Sequence, residues 1–380
     1  MILTTCAVCA VPLTHEAPAT CAKCDTRYCS ATCRHSHWRS GHRGLCPEIR
    51  RAGGAEQYNA DKKYAEAVEV AVEECAEDTE GQTCYICLED GSEEGLVRMC
   101  ACRGAAGLAH VSCLAKQAKL ATDELDTQNA WDKWSVCGVC KQDHHGVVLN
   151  ALGWACWKTY VGRPEADENR QSALSTLGYC ITSDTEAAIS IHQAHLNSLR
   201  RFAPEDEEDI LNAQAHLAIA YKSVGRPSEA LALEREIYFK RKEMGECDEN
   251  FIITVNNLAS SLIHANLFGE AKALVREHLT AASDSLGVDH TDSLNLHLTY
   301  AESLLYECDD EEATDEQDRE DYLEAERVAA DVLRRVERIL GNHHPVTIDA
   351  RGILEEVRKD IASHERRTTL RALPKRARYS

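Results

Sequence analysis

No stretch of this sequence is apolar for long. The longest nearly apolar run, Val147 to Trp157, is eleven residues and is interrupted by Asn150 and Gly153, whereas a membrane-spanning helix needs about 20. No membrane partner is expected. Positive charge is also scarce: 42 lysines and arginines face 63 aspartates and glutamates, for a net charge of -21. The deficit is uneven. Residues 1–51 carry +4 and residues 366–380 carry +6, which leaves -31 on the body between them. Duplex nucleic acid is bound by clustered cations that meet its phosphates, so a body of this sign argues against nucleic acid and for protein partners. A secretory leader has little room, because only five residues precede Cys6, which already stands at ligand spacing.

Cysteine, in contrast, is abundant. Of 19 cysteines, fourteen fall at metal-ligand spacings within the first 140 residues, while Cys75, Cys156, Cys180, Cys247 and Cys308 are scattered. Thiolate ligands imply a reducing compartment, so the expected location is cytoplasmic or nuclear.

The densest pattern reads Cys84-x-x-Cys87, Cys100-x-Cys102, His110-x-x-Cys113 and Cys137-x-x-Cys140. Paired thiolates suit tetrahedral zinc because one tight turn aims both sulfurs at a point about 2.3 Å from each. With Cys102-Arg103-Gly104 and His110-x-x-Cys113-Leu114, the order resembles the RING-CH finger, a RING variant. The resemblance implies interleaved sites, one held by Cys84, Cys87, His110 and Cys113, the other by Cys100, Cys102, Cys137 and Cys140. It also implies a surface for a ubiquitin-conjugating enzyme at Ile86, Leu114 and Lys141, with Leu120 as a further apolar residue. Such domains have no catalytic side chains and act by positioning. Two features depart from the family. The tryptophan usual after the sixth ligand is replaced by LAKQAKL, with Trp131 and Trp134 following later, and Gly138-Val139 stands where a proline is common.

Upstream, Cys6-x-x-Cys9, Cys21-x-x-Cys24, Cys29-x-x-x-Cys33 and His42-x-x-x-Cys46 supply eight more ligands. Tyr28-Cys29-Ser30-x-x-Cys33, then His37-Trp38 and Gly41-His42, resemble the MYND finger. That family implies one zinc on Cys6, Cys9, Cys29 and Cys33 and a second on Cys21, Cys24, His42 and Cys46. Gly41 reads as a one-residue insertion, and His35 and His37 pair less naturally with Cys46. MYND fingers take proline-containing peptides, which implies a contact at Trp38; simple packing of Trp38 over the zinc loops is the other reading. A segment this short cannot bury enough apolar surface to fold alone. Nothing after residue 140 resembles a methyltransferase catalytic domain.

Residues 56–77 predict a helix with Tyr64, Val68, Ala71 and Cys75 on one face, Cys75 being a packed residue rather than a nucleophile. Trp154 and Trp157 share a helical face and predict a docking segment over 146–164. Asp143, His144 and His145 read as a surface loop rather than a third metal site. From about residue 165 internal repeats appear. Leu174 with Glu186-Ala187, Leu217 with Glu229-Ala230 and Leu258 with Glu270-Ala271 step by 43 and 41 residues, and Gly245, Gly287 and Gly341 close the second helices. The pattern resembles kinesin-light-chain-like tetratricopeptide repeats. A fourth unit fits if residues 308–321 hold an acidic insertion of about twelve residues, read as a solvated loop or a site for a basic ligand. His216, His264 and His297 read as structural or surface residues.

The expected fold is therefore mainly α: a zinc finger over 1–50, a linker helix over 51–80, a second finger over 81–145, the docking segment, an α-solenoid of helical hairpins over 165–363, and a basic disordered tail over 364–380. Both fingers are cross-braced, with four structural zinc ions in all. Lys375-Arg376-x-Arg378 in the tail is a candidate nuclear import signal. The resemblance implies a RING-type ubiquitin ligase or ligase adaptor that recruits protein substrates through its repeats and first finger. A non-enzymatic interaction scaffold is the alternative.

Overall fold

The structure, a computed structural model, describes residues 6–9, 11, 13, 19–124, 130–181, 185–245, 248–307, 315–341 and 345–372. They divide into two compact units, Met1–Val224 and Gly225–Ser380.

The first unit opens with an antiparallel pair, β1 (Ala19–Thr20) and β2 (Arg27–Tyr28), in which Ala19 faces Tyr28. Helix α1 (Ala31–His37) starts at Ser30, whose hydroxyl accepts a hydrogen bond from the Cys33 N–H. After a π-turn at Trp38–His42 come α2 (Arg43–Arg51) and the long α3 (Ala55–Thr79). The expected stripe on α3 is inward: Ala71 and Cys75 are buried, with Tyr64 and Val68 packed against the same cluster. The Cys75 thiol lies against the Arg98 backbone, as a packed residue would. Helix α4 (Val111–Glu124) has Glu94 at its N-terminus, where the carboxylate accepts from the Ser112 N–H at 2.8 Å.

The centre of this unit is α5 (Gly146–Tyr160), which is apolar nearly all round. A helix of that kind must be enclosed. It packs on α3, α4 and α6 (Glu168–Cys180). Trp154 and Trp157 are buried there with Trp134, Tyr160, Leu174 and Leu177. Polar contacts tie α3 to the same assembly: Gln57 donates to the Lys158 carbonyl at 3.1 Å, and Arg170 pairs with Glu56 at 2.7 Å. Helices α7 (Thr185–Phe202) and α8 (Glu207–Ser223) follow.

The second unit holds α9 (Pro227–Met244), α10 (Glu249–His264), α11 (Phe268–Leu286), α12 (Thr291–Glu307), α13 (Asp315–Ile339) and α14 (Pro345–Ala372). Neighbours in sequence pack as antiparallel hairpins, and Ala259, Ala271, Ala301, Ala325 and Ala329, all fully buried, let the helices approach closely. Equivalent turns use equivalent backbone. Gly225 and Asn266 occupy the same repeat position and both have positive φ, 73° and 58°, the left-handed region that Gly and Asn tolerate. Asp167, Asp206 and Asp248 cap α6, α8 and α10 through their side chains.

Two expectations are corrected. The acidic stretch is not a loop throughout: α13 begins at Asp315, where carboxylates suit the positive end of the helix dipole, and Asp321 is buried and ion-paired with Lys272 at 2.7 Å. Residues 308–314 lie outside the described residues. The tail does not begin at 364 as an unfolded segment, because α14 runs to Ala372, and no Gly or Pro stands between 364 and Pro374 to stop it. Lys375, Arg376 and Arg378 lie outside the described residues.

Candidate metal centres

Each Cys-x-x-Cys pair opens the same local turn. The N–H of the first cysteine donates to the carbonyl five residues on: Cys6 to Val11, Cys21 to Thr26, Cys84 to Glu89 and Cys137 to Gln142, each at 2.8 Å. In three of the turns the residue four places on folds back onto the first cysteine's carbonyl and takes positive φ: Asp25 at 57°, Leu88 at 66° and Lys141 at 61°. Side chains at such φ cost about 1–2 kcal/mol. The turn holds both sulfurs on one side.

These turns bring the sixteen predicted ligands together in four sets: Cys6, Cys9, Cys29 and Cys33; Cys21, Cys24, His42 and Cys46; Cys84, Cys87, His110 and Cys113; Cys100, Cys102, Cys137 and Cys140. Within each set the donor atoms all lie within 4.8 Å of one another. Zinc–sulfur bonds of about 2.3 Å in tetrahedral geometry require sulfurs about 3.8 Å apart, and a zinc-bound imidazole nitrogen about 3.6 Å from each sulfur. The contacts match. Cys9 and Cys29 are 3.5 Å apart, Cys33 and Cys9 3.9 Å, Cys21 and Cys46 3.8 Å, and Cys102 and Cys137 3.8 Å. His110 Nδ1 is 3.4 Å from Cys87 Sγ and 3.7 Å from Cys113 Sγ. The donor sets thus fit zinc in both chemistry and spacing.

The two histidines present different nitrogens. His110 turns Nδ1 to the sulfurs while Nε2 lies 2.9 Å from the Asp90 carbonyl, a partner that fixes the tautomer of a ligating ring. His42 turns Nε2 to Cys24 Sγ at 3.4 Å. Burial, with His37 alongside, lowers the His42 pKa, which keeps a ring nitrogen free of a proton for a metal. Thiols within a set are driven apart. Burial raises Cys84, but hydrogen bonds from the Cys87, His110 and Ile86 backbone outweigh it and bring it to about 7; Cys113 is pushed up to about 12 by burial and by Cys87 and Cys84. A divalent cation bound in such a set would favour the thiolate form of each cysteine.

The Gly41 insertion is absorbed as the π-turn, where Gly41 takes φ 142°, a value that favours glycine. The turn swings His42 into its cysteine set. His37 remains outside, stacked on His42 at 4.8 Å with Nδ1 3.0 Å from the Tyr28 hydroxyl, and His35 joins no set. Trp38 stands edge-on to His42 at 5.9 Å and is 36% exposed, so it both packs on the ligand and keeps an open face.

Of the residues expected to meet a conjugating enzyme, Ile86 is half-buried at the knuckle and Lys141 is exposed, with its Nζ donating to the Gly138 carbonyl at 2.6 Å. Leu114 is turned inward. It is 6% exposed because Val111, Leu114 and Ala118 form the core face of α4, leaving Leu120 at the surface. Sequence reasoning missed Tyr85 and Gln117. The Tyr85 hydroxyl donates to Gln117 Oε1 at 3.3 Å, and a Cβ at Gly138 would lie 3.3 Å from that oxygen, so both knuckles and α4 meet at one place. Trp131 and Trp134 do not join this surface; they pack on Tyr160, at 5.4 and 6.1 Å. His144 is buried rather than on a surface loop, and no further cysteine–histidine set occurs among the described residues. None of the helices among them is long and apolar enough to cross a membrane.

Family models match three segments: the MYND finger at residues 6–46, the RING-variant domain at 84–143 and the tetratricopeptide repeat at 313–346. No curated protein matches the chain. Among solved structures, two of "kinesin light chain nearly identical TPR-like repeats" from Podosopora anserina are 14% and 16% identical. They cover 60% and 59% of this chain and 96% and 99% of their own, each with a TM-score of 0.40. BtubC from P. vanneervenii is 14% identical over 71% of this chain and 96% of its own, with a TM-score of 0.38. The chain carries a MYND finger, a RING-variant domain and tetratricopeptide repeats, and is built for zinc-finger and repeat-mediated protein interaction.

Proposed function

We propose that the chain is a RING-type ubiquitin ligase or ligase adaptor of the cytosol or nucleus. Residues 84–141 would recruit a ubiquitin-conjugating enzyme, and the repeats and MYND finger would hold protein substrates, Trp38 contacting proline-containing segments. The observation that carries this reading is the interleaving of the donor sets at 84–140, with the knuckles of Ile86 and Lys141 meeting α4 at the Tyr85–Gln117 contact. Four zinc ions would occupy the four sets. Each set already provides four protein ligands, so zinc bound there cross-links loops and leaves no open position for water. Transfer of ubiquitin from the conjugating enzyme's cysteine thioester to a substrate lysine amine would be chemistry of that enzyme, accelerated by orientation.

A scaffold without ligase activity is the second reading. It is favoured by the inward Leu114 and by the Gly138 carbonyl that engages Lys141, which together leave a small recruitment face. The test incubates the zinc-loaded chain with ubiquitin, activating enzyme and a panel of conjugating enzymes, beside Ile86→Ala. Ubiquitin chains made by the parent and lost in the variant, at equal zinc content, are expected. Silence across the panel from a fully loaded parent would leave the scaffold.

A further inference from the structure

Helix α1 of the MYND finger has no buried residue, so its outer face is open among the described residues. A groove of about 790 Å³ runs along that face and the π-turn, lined by Arg34, His35 and Arg39 and by Thr32, Ser36 and Ser40. No carboxylate lines it; Asp25 and Glu48, the acids among the finger's described residues, lie elsewhere. Arg34 gives one guanidinium nitrogen to the Thr20 carbonyl at 3.3 Å, and the His35 and Arg39 side chains have no ion-pair partner among the described residues. In a chain of net charge -21 such cations stand out. Elsewhere in the same unit, Arg170 pairs with Glu56 at 2.7 Å and Arg201 with Glu165 at 3.1 Å.

The groove is continuous with Trp38. The Trp38 N–H bonds back to the Arg34 carbonyl, so Arg34 and Trp38 stand one turn apart on the same side of the helix, and Trp38 keeps an open face. From Arg34 to Arg39 the helix advances about 7 Å, at roughly 1.5 Å per residue. Alternate residues of an extended segment lie about 6.6 Å apart and point the same way. The two guanidinium groups therefore form a row suited to two carboxylates on one extended segment. A nucleic-acid strand, charged at every residue, is the poorer fit, because it would run past the groove over a chain that repels it. A short acidic segment is held locally, since charges more than about 8 Å away are screened at physiological salt.

We propose that this groove binds a segment of a partner protein that carries two acidic residues, Asp or Glu, in alternate positions beside the proline-containing stretch taken at Trp38. The planar forks of Arg34 and Arg39 each address both oxygens of one carboxylate, and the Thr32 and Ser36 hydroxyls add donors between them. The inference deepens the reading of the MYND finger as a peptide-binding module and rests on it, but it does not need ligase activity.

The test uses the full zinc-loaded chain and two fluorescein-labelled twelve-residue peptides, with two prolines followed by Glu-Ser-Glu in one and by Gln-Ser-Gln in the other, read by fluorescence anisotropy with no ubiquitin components present. The Glu peptide is expected to bind one-to-one and about five- to tenfold more tightly than the Gln peptide, a preference that added salt weakens. Arg34→Gln/Arg39→Gln should erase the preference at unchanged zinc content. Arg50→Gln/Arg51→Gln removes the same charge from the end of α2, outside the groove, and should keep it. Equal affinity of the parent for both peptides, equal loss of preference in both double variants, or tighter binding of a labelled twelve-nucleotide RNA overturns the proposal. Trp38→Ala separates it from the reading it rests on. A Glu preference and affinity that survive Trp38→Ala would leave the groove standing and remove the Trp38 contact. Two peptides bound equally by the parent and both lost in Trp38→Ala would do the opposite, and no binding of either peptide would overturn both.

Discussion

At the scale of single residues, a glycine decides the second RING-variant site. Gly107 has φ 76°, and a Cβ there would lie 2.7 Å from both Cβ and Sγ of Cys102 and 3.5 Å from Cys100 Sγ. Any side chain must push Cys102 off its position, and a structural zinc does not tolerate the loss of one of four ligands. Gly107→Ala is therefore expected to lower the zinc content of the purified chain by one ion, with the MYND sets still loaded; unchanged metal analysis would mean that the loop can yield. The sequence made the sixteen ligands legible because spacing alone aims paired sulfurs. It drew the eye to Gly104 in the Cys102-Arg103-Gly104 phrase, yet Gly104 faces open space. Which glycine is sterically required depends on how the loop returns to Cys102, and spacing does not encode that. Leu114 was misread for a similar reason: its place after the sixth ligand is a family position, whereas its burial follows from the face that α4 presents to the core.

At the scale of elements, the α6–α7 contact holds a titrating group. His192 on α7 is 6% exposed and sits where a Cβ on Gly178 of α6 would approach its ring within 2.5 Å. Burial, reinforced by His216 and His195, lowers its pKa to about 4. In the unfolded chain the value is about 6.5. Above pH 6.5 the ring is neutral in both states and stability is unaffected; between 6.5 and 4 only the unfolded chain takes the proton, so stability falls as pH falls, by up to about 1.4 kcal/mol per pH unit. His192→Gln removes this contribution. The stability advantage of the parent over the variant should shrink as pH drops from about 7 to 4.5, read by urea unfolding on tryptophan fluorescence; zinc loss affects both proteins and cancels. A constant difference would show that protonated His192 is accommodated in the native state. The helices themselves were legible from period and turns, and Trp154 with Trp157 marked the docking segment that is now the enclosed α5. Its partners were not. Trp131 and Trp134 reach Tyr160 only after the chain has folded around α5, and the acids of 315–321 read as solvated until Lys272 is placed beside Asp321.

At the scale of the whole molecule, metal dependence should divide the chain unequally. Among the described residues all the cysteine–histidine sets belong to Met1–Val224, and all five tryptophans of the sequence lie there too. Cys84 shares its core cluster with Ala71 and Cys75 of α3 and with Val148 and Leu152 of α5, so the zinc sites and the two long helices bury the same surface. Structural zinc in small fingers contributes roughly 10–16 kcal/mol of apparent binding energy, more than the whole stability of many domains. Chelation should therefore release α3 and α5 along with the fingers. The second unit is held by its own apolar interior, from Leu258 and Leu262 through Leu296 and Leu304 to Val357, with no predicted ligand among those residues. Hydrogen exchange followed by mass spectrometry, before and after a strong chelator, should show amides of 84–143, α3 and α5 losing protection while those of α10 to α13 keep theirs. Tryptophan emission should shift to the red in the same step. Protection retained in α3 and α5 after metal removal would show that α5 finds enough apolar cover in α6 alone. The fingers would then be passengers on a helical core rather than part of it.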